Sequence, residues 1–518
     1  MAAPEKTEAG GRGRPQGAGP DAPPSKHPNR WWTLAAVCVA TFMLLIDITV
    51  VNVALPDIAK DLKTSFSDLQ WVVDAYALGL ASLLLTTGTL ADRFGHRRVF
   101  VAGLIAFTSA SILCGLATSP QFLILARGFQ GIGGAAMFAT SLSLIAHAFS
   151  GPDRGTAFGI WGATIGAAVA IGPLVGGVLT EQISWEAIFF VNVPIGITAV
   201  VVSLMRVDEF RSPWAQRLDP PGLVTFSGGL FLLIFALVRG NAEGWGSPLI
   251  VGFLIGAVLL LAAFVLVELR AGQHAMFDLT LFRKPAFDGA SIAAFGLSAS
   301  MFAMFLYITL YIQNTLGYSP QQTGLRFLPL TVVSFVVAPL SGRASRTVPL
   351  RVLFGVGMTL VGIGLLLMSR IDASSDWTTL LPGFILGGAG IGMVNPSLAQ
   401  AAVGVVSPER SGMASGINST FRQVGIATGI AALGAVFQGL LTSKIARVPG
   451  EVLATGNPDL VRGVPRHVYL AAYSDALSTL FLITAVVAFV CGVLALALTR
   501  QSDFVAHARP EAEAAAAG

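Results

Sequence analysis

Asp47 stands alone among the apolar and small residues of "LLIDITVVNVALP" (44–56). Insertion scales put an acidic side chain at the centre of a membrane helix at about 2.5–3.5 kcal/mol. Hydrocarbon penalises the ion, so a carboxyl group held there is suited to taking up and releasing protons. Arg127 stands in a comparable run, "LILARGFQGIGGA" (123–135). Asp47 lies near the end of its run and Arg127 near the start of its own. At about 1.5 Å per residue, both lie roughly 10 Å from the same face. The two are read as a proton-coupling pair; a purely structural buried ion pair is the alternative. Asp74, just inside the next run, either meets an outward vestibule, where it receives protons or attracts a cation, or is a solvated interfacial carboxylate.

A second concentration of chemistry is "GTLADRFGHRR" (88–98), with four formal charges and a histidine in a chain that is only 12% charged. Gly88 allows close helix packing and Gly95 a tight turn. Asp92 can accept hydrogen bonds from arginine or from the N–H groups at a helix N-terminus. Asp92 and Arg93 are therefore read as a latch, and Arg97 and Arg98 as topology signals that touch anionic lipid. In "GIWGATIGAAVAIGPLVGG" (159–177), Gly162, Gly166, Gly172, Gly176 and Gly177 offer a groove to a neighbouring helix. Pro173 removes a backbone bond and bends the run. Tyr307 and Tyr311 of "MFAMFLYITLYIQN" (301–314), with Asn395, Asn418 and Arg422, are candidates for a substrate cavity, because polar groups at membrane depth usually point inward.

These residues must be positioned by membrane helices. The 518 residues are 54% hydrophobic with mean hydropathy +0.73. Apolar runs of about 20 residues span a bilayer as helices, and lipid admits only helices or closed barrels. The expected fold is an all-α integral membrane protein of fourteen transmembrane helices. Residues 1–30 read as a disordered tail, 31–206 as a six-helix bundle, and 207–283 as linkers with two inserted helices. Residues 284–500 read as a second six-helix bundle and 501–518 as a second tail. With both termini cytoplasmic, the loop and tail Lys and Arg divide 21 inside to nine outside, with two of the 32 in spans. That bias selects cytoplasmic termini.

The halves also repeat. "SGPDRGTAFGI" (150–160) returns as "VSPERSGMASGI" (406–417), and the charged loop has a degraded echo, "SGRASRTVPLR" (341–351), without the aspartate. Internal repeats of this kind mark secondary transporters, with substrate bound between halves near the midplane. Cys38, Cys114 and Cys491 fall inside apolar runs and read as buried thiols without metal-ligand spacing. No G-x-x-x-x-G-K-[ST] loop supports nucleotide drive.

Four stretches in order resemble the major facilitator superfamily, specifically its fourteen-helix drug–proton antiporters. "DITVVNVALP" (47–56) is similar to the first-helix signature, and "GTLADRFGHRR" to the loop motif between helices two and three. "LILARGFQGIGGA" resembles the fourth-helix arginine motif, and "GPLVGG" (172–177) the fifth-helix antiporter motif. In "SWEAIFFVNVPIG" (184–196), Glu186 stands where that family often has a basic residue. The resemblance implies a monomeric transporter, not an enzyme, in a bacterial cytoplasmic membrane. It would export small amphipathic compounds such as antibiotics in exchange for protons, with no cofactor and no nucleic-acid partner. It implies that the fifth helix seals the centre against leak. A nutrient importer shares the architecture; a non-transporting membrane sensor or scaffold is the alternative of another class.

Overall fold

The computed structural model describes residues 28–500 apart from 65, 150–151, 212–218, 272–276, 278, 346, 407–410, 446–447, 449–452, 455–460 and 462. The tails expected at 1–30 and 501–518 thus lie almost wholly outside the described residues, as do Arg346 and the residues Pro408, Glu409 and Arg410 of the repeat. The described residues are nearly all helical, with no strand among them. The first half runs α1 (Arg30–Asp61), α2 (Phe66–Phe94), α3 (His96–Gly115), α4 (Pro120–Ala148), α5 (Pro152–Gln182), the short α6 (Ala187–Phe190) and α7 (Asn192–Arg206). Two further helices follow, α8 (Pro220–Glu243) and α9 (Pro248–Ala271). The second half comprises α10 (Pro285–Leu297), α11 (Ala303–Leu310), α12 (Pro320–Ala344), α13 (Leu350–Met368), α14 (Leu381–Gly404), α15 (Ser411–Lys444) and α16 (Arg466–Leu498).

Thirteen helical segments among the described residues are long and apolar enough to cross a membrane. The fifth expected span, 156–180, is not one of them, although it is helical throughout as the 31-residue α5. At about 1.5 Å per residue, α5 reaches roughly 46 Å. Several helices overrun the apolar stretches that predicted them: α1 continues to Asp61 and α15 to Lys444. Hydropathy reports which solvent a segment tolerates, whereas the hydrogen-bond ladder continues through polar residues until a breaker intervenes. Such starts are visible. Ser119 and Asp219 cap helices that open with Pro120 and Pro220, and Ser319 with Gln322 forms a reciprocal capping box before α12. The sixth expected span is divided at Val191. Pro194 supplies no N–H to the turn before it, which accounts for the interruption.

The ninth expected span is one helical run, Pro285–Thr315, with two π-turns at Ser298–Phe302 and Tyr311–Thr315. A π-turn leaves an extra residue in the turn and re-aims the side chains around it.

A short chain of contacts puts the start of α1 and the end of α16 on one face, termed the terminal face. Arg30 pairs with Asp153 at 2.7 Å, at the start of α5. Gly155 abuts Gly342 at the end of α12, Ser345 Oγ donates to Gln400 near the end of α14, and Lys284 reaches the Val405 carbonyl. Thr499 closes the chain of contacts against Gly289. One buried core fills the second half and two lie in the first, and Phe302 packs against the second-half core and one of those two. A further core joins α8 and α9 to α2, α10 and α15.

Candidate functional site

Asp47 and Arg127 meet. Arg127 Nη1 donates to Asp47 Oδ2 at 2.5 Å, and the two residues are 1% and 2% exposed. The α1 and α4 helices bring them to the same depth, as residue counting along each run requires. The carboxylate has two further donors that sequence reasoning missed. Gln130 Nε2 lies 2.9 Å and Asn192 Nδ2 3.1 Å from Oδ1. Both amides also donate to Ser111 Oγ on α3, at 3.0 and 2.9 Å. Arg127 completes its own set with the Gln130 side-chain oxygen at 2.7 Å and the Val72 carbonyl at 3.1 Å. Its guanidinium lies over the Tyr76 ring, 4.2 Å from the centroid, and Tyr76 donates to the Leu44 carbonyl.

The signals for the missed members were weak but present. Gln130 follows Arg127 by one turn, which places it on the same helix face. Asn192 begins α7 immediately after the interruption. The geometry has a chemical consequence. Three donors converge on the two oxygens, so the carboxylate ties α1 to α4 and α7 through charge-assisted hydrogen bonds.

At the terminal face, Asp92 reaches across to the other half. Its two oxygens accept from the N–H groups of Gly412 at 3.1 Å and Met413 at 2.9 Å, in the first turn of α15. These are the unsatisfied donors at the positive end of a helix dipole. Gly88 makes the approach possible, since a Cβ there would lie 2.6 Å from the Gly412 carbonyl oxygen. His96, 1% exposed, holds Asp92 at 3.0 Å and stacks on Phe210, whose other face stacks on His147. Gly95 has φ +108°, a backbone conformation that favours glycine, and it faces the Glu209 carboxylate. Arg93 packs over Phe94. Arg97 and Arg98 do more than mark topology. Their backbone N–H groups donate to Glu209 and their side chains lie 3.9 and 3.6 Å from it, which ties the segment after α7 to the start of α3.

The glycines of α5 serve three neighbours rather than one groove. Gly172 and Gly176 receive Thr49 and Val50 of α1. Gly162 faces Asn395 of α14, while Gly166 and Gly177 face Ser334 and Gln321 of α12. The helix continues through position 173, and the Pro173 side chain lies outside the described residues. Helices α5 and α12 touch along their length, from Gly155–Gly342 to the Gln321–Glu181 hydrogen bond of 3.2 Å.

Asp74, partly exposed on α2, faces a cation that sequence reasoning did not pair with it. Arg239 of α8 lies 3.9 Å away, packs over Trp71, and pairs with Glu243 at 2.7 Å. Arg239 lies in the last turns of α8, which runs on to Glu243, and is 5% exposed. On its other side α8 reaches the second half, where Asn241 donates to the Ala431 carbonyl at 3.0 Å. The α2–α15 seam is therefore closed directly near the terminal face and through α8 near the opposite one. Removing Arg239 would leave a largely buried carboxylate uncompensated, which costs about 3–5 kcal/mol in buried pairs. Arg239→Gln is expected to lower the unfolding midpoint of the purified protein clearly more than the double variant Asp74→Asn/Arg239→Gln. Additive losses in that cycle would show that the two side chains do not interact.

Of the substrate-cavity candidates, Tyr307 and Tyr311 pack in the core of the second half. Their hydroxyls donate to the carbonyls of Ile430 at 2.9 Å and Ser375 at 3.3 Å. A small cavity lies elsewhere, between Gly166 of α5, Phe302 and Phe305, Phe327 and Thr331 of α12, and Ile391 of α14. Asn395, Asn418 and Arg422 are all buried.

A family model described as Major Facilitator Superfamily matches residues 37–430. The tetracenomycin C resistance and export protein of Streptomyces glaucescens is 37% identical over 448 residues, covering 86% of this chain and 81% of that one. The puromycin resistance protein of Streptomyces alboniger is 36% identical over 470 residues, covering 89% and 91%. In shape, the chain is similar to the crystal structure of the human organic anion transporter MFSD10, with TM-score 0.61, 15% identity and coverage of 90% and 100%. That likeness speaks to the fold alone.

Proposed function

Since the chain belongs to the major facilitator superfamily, we propose that it is a proton-coupled antiporter that exports small amphipathic compounds, antibiotics among them, by alternating access. In this reading it crosses a bacterial cytoplasmic membrane fourteen times, with α5 as the fourteenth crossing and the terminal face in the cytoplasm. It works as a monomer driven by the proton gradient, without a cofactor. Relatives named for antibiotic resistance and export support the direction and the kind of cargo. The observation that carries the coupling is Asp47, a carboxylate 2% exposed whose three donors come from α4 and α7. Protonation removes the charge those donors hold and so loosens the ties of α4 and α7 to α1. A rearrangement and a proton are thereby made to accompany each other.

The contacts at the terminal face, Asp92 on α15 and Gly155 on Gly342, fit a state closed toward the cytoplasm. Reopening that side then means breaking the Asp92 latch. The test is a panel of antibiotics applied to a host that lacks its own exporters, with and without a protonophore. Expression is expected to raise tolerance to at least one compound, and the protonophore to abolish the gain. Unchanged tolerance across the panel would refute export.

A further inference from the structure

Close to the cavity between the halves lie three buried side chains with polar atoms that no protein group hydrogen-bonds. Arg422 of α15 is 6% exposed, with Cζ 5.8 Å from the centroid of Phe302, a cavity-lining ring. Its Nη1 is buried with no hydrogen-bond partner, and no carboxylate among the described residues forms a salt bridge with it. Ser334 Oγ has no partner either, and it lies 3.3 Å from where a Cβ on the cavity-lining Gly166 would stand. Asn395, one turn beyond the cavity-lining Ile391, is fully buried with neither amide atom hydrogen-bonded. The protein itself offsets none of the desolvation of these atoms.

A guanidinium stays protonated in proteins, so burial cannot be relieved by neutralisation. A buried cation without a counter-charge opposes stability. Among the described residues no carboxylate supplies the compensating anion, which points to one from outside the chain. The cavity beside Phe302 is lined by the rings of Phe302, Phe305 and Phe327, which suit an aromatic body.

We propose that Arg422, with Asn395 and Ser334, forms a subsite for the acidic group of an amphipathic aromatic substrate, a carboxylate or phenolate, whose apolar body lies among Phe302, Phe305 and Phe327. This deepens the export reading and rests on it. Arg422 supplies the charge and the forked donors that match a carboxylate. Asn395 and Ser334 supply hydrogen bonds that hold its orientation.

The test uses two dyes of one skeleton, anionic fluorescein and cationic tetramethylrhodamine methyl ester, with the full-length protein in liposomes under a proton gradient. Binding to the purified protein is followed in parallel by fluorescence anisotropy. Arg422→Gln is expected to weaken fluorescein binding and export by roughly tenfold or more, with the cationic dye changed by no more than about twofold. Arg422→Lys should retain an intermediate fluorescein signal. If Arg422→Gln does not fold, Asn395→Ala should weaken fluorescein severalfold and spare the cation. Equal loss for both dyes, or fluorescein unaffected by either variant, would overturn the subsite. Wild-type protein that moves the cation but neither binds nor moves fluorescein would overturn it too, while leaving export intact. Movement of neither dye, with Arg422-dependent fluorescein binding, would instead count against export and for the subsite.

Discussion

Asp47→Asn is expected to abolish gradient-driven accumulation while the protein still reaches the membrane. At about 150 mV one charge crossing the membrane is worth roughly 3.5 kcal/mol, or about 300-fold in concentration. A carrier that no longer binds the proton forfeits that factor, and the ratio it sustains falls toward unity. Asparagine keeps one oxygen for Gln130 or Asn192 and nearly the same volume, but it leaves the Arg127 guanidinium without a counter-charge. A cost of about 3–5 kcal/mol for breaking a buried pair makes membrane abundance a required control. The companion variant Asp47→Asn/Arg127→Gln removes both charges and with them that penalty. If the pair is only structural, the double variant regains both abundance and transport. If Asp47 carries the proton, it regains abundance alone. Efflux from energised vesicles, scaled to the amount of protein, separates the two outcomes, and full pH-dependent efflux by Asp47→Asn would remove Asp47 from the coupling.

The depth argument succeeded at this pair because both residues interrupt apolar helices, and helical rise converts sequence position into height without knowledge of packing. The same arithmetic is blind to rotation about the helix axis. It could not show that Gln130, Asn192 and Ser111 share the site, since neutral polar residues disturb hydropathy too little to stand out. It equally could not separate Tyr307 and Tyr311, whose hydroxyls are satisfied by backbone carbonyls inside the second half, from Phe302 and Phe305 nearby, which line the cavity. Phe305 and Tyr307 stand two positions apart in the regular helix α11, so they project to opposite sides of it, and nothing in the residue types says which side meets the cavity.

The inserted helices were legible as spans but not as participants. The apolar run of α8 ends at Arg239, yet the helix runs one more turn and carries the cation against Asp74. Charge pairs between helices distant in sequence are set by tertiary docking, which a single chain read in order does not contain. For the same reason the asymmetry of the α2–α15 seam, direct contact on one side and α8 between them on the other, emerges only from the packed structure.

The latch gives the second large effect. Asp92→Asn keeps size and polarity but replaces one accepting oxygen by an N–H₂ group, which then confronts an N–H donor of Gly412 or Met413. Hydrogen bonds to a charged group contribute about 1.5–3 kcal/mol each, so losing one bond and the charge removes roughly 2–4 kcal/mol, a shift of about 30- to 800-fold between states. The loss falls only on the conformation in which α2 meets the start of α15, because in the other the carboxylate is hydrated. The variant is therefore expected at normal abundance, shifted toward the state open at the terminal face, and depleted of most transport. Spin labels at Phe94→Cys and Arg343→Cys, both exposed on that face, report the shift once Cys38, Cys114 and Cys491 are replaced. Their distance distribution should gain a longer population in Asp92→Asn. An unaltered distribution with full transport would reduce the cluster at 88–98 to a marker of topology, and would leave the short bonds from Asp92 to α15 without a functional consequence.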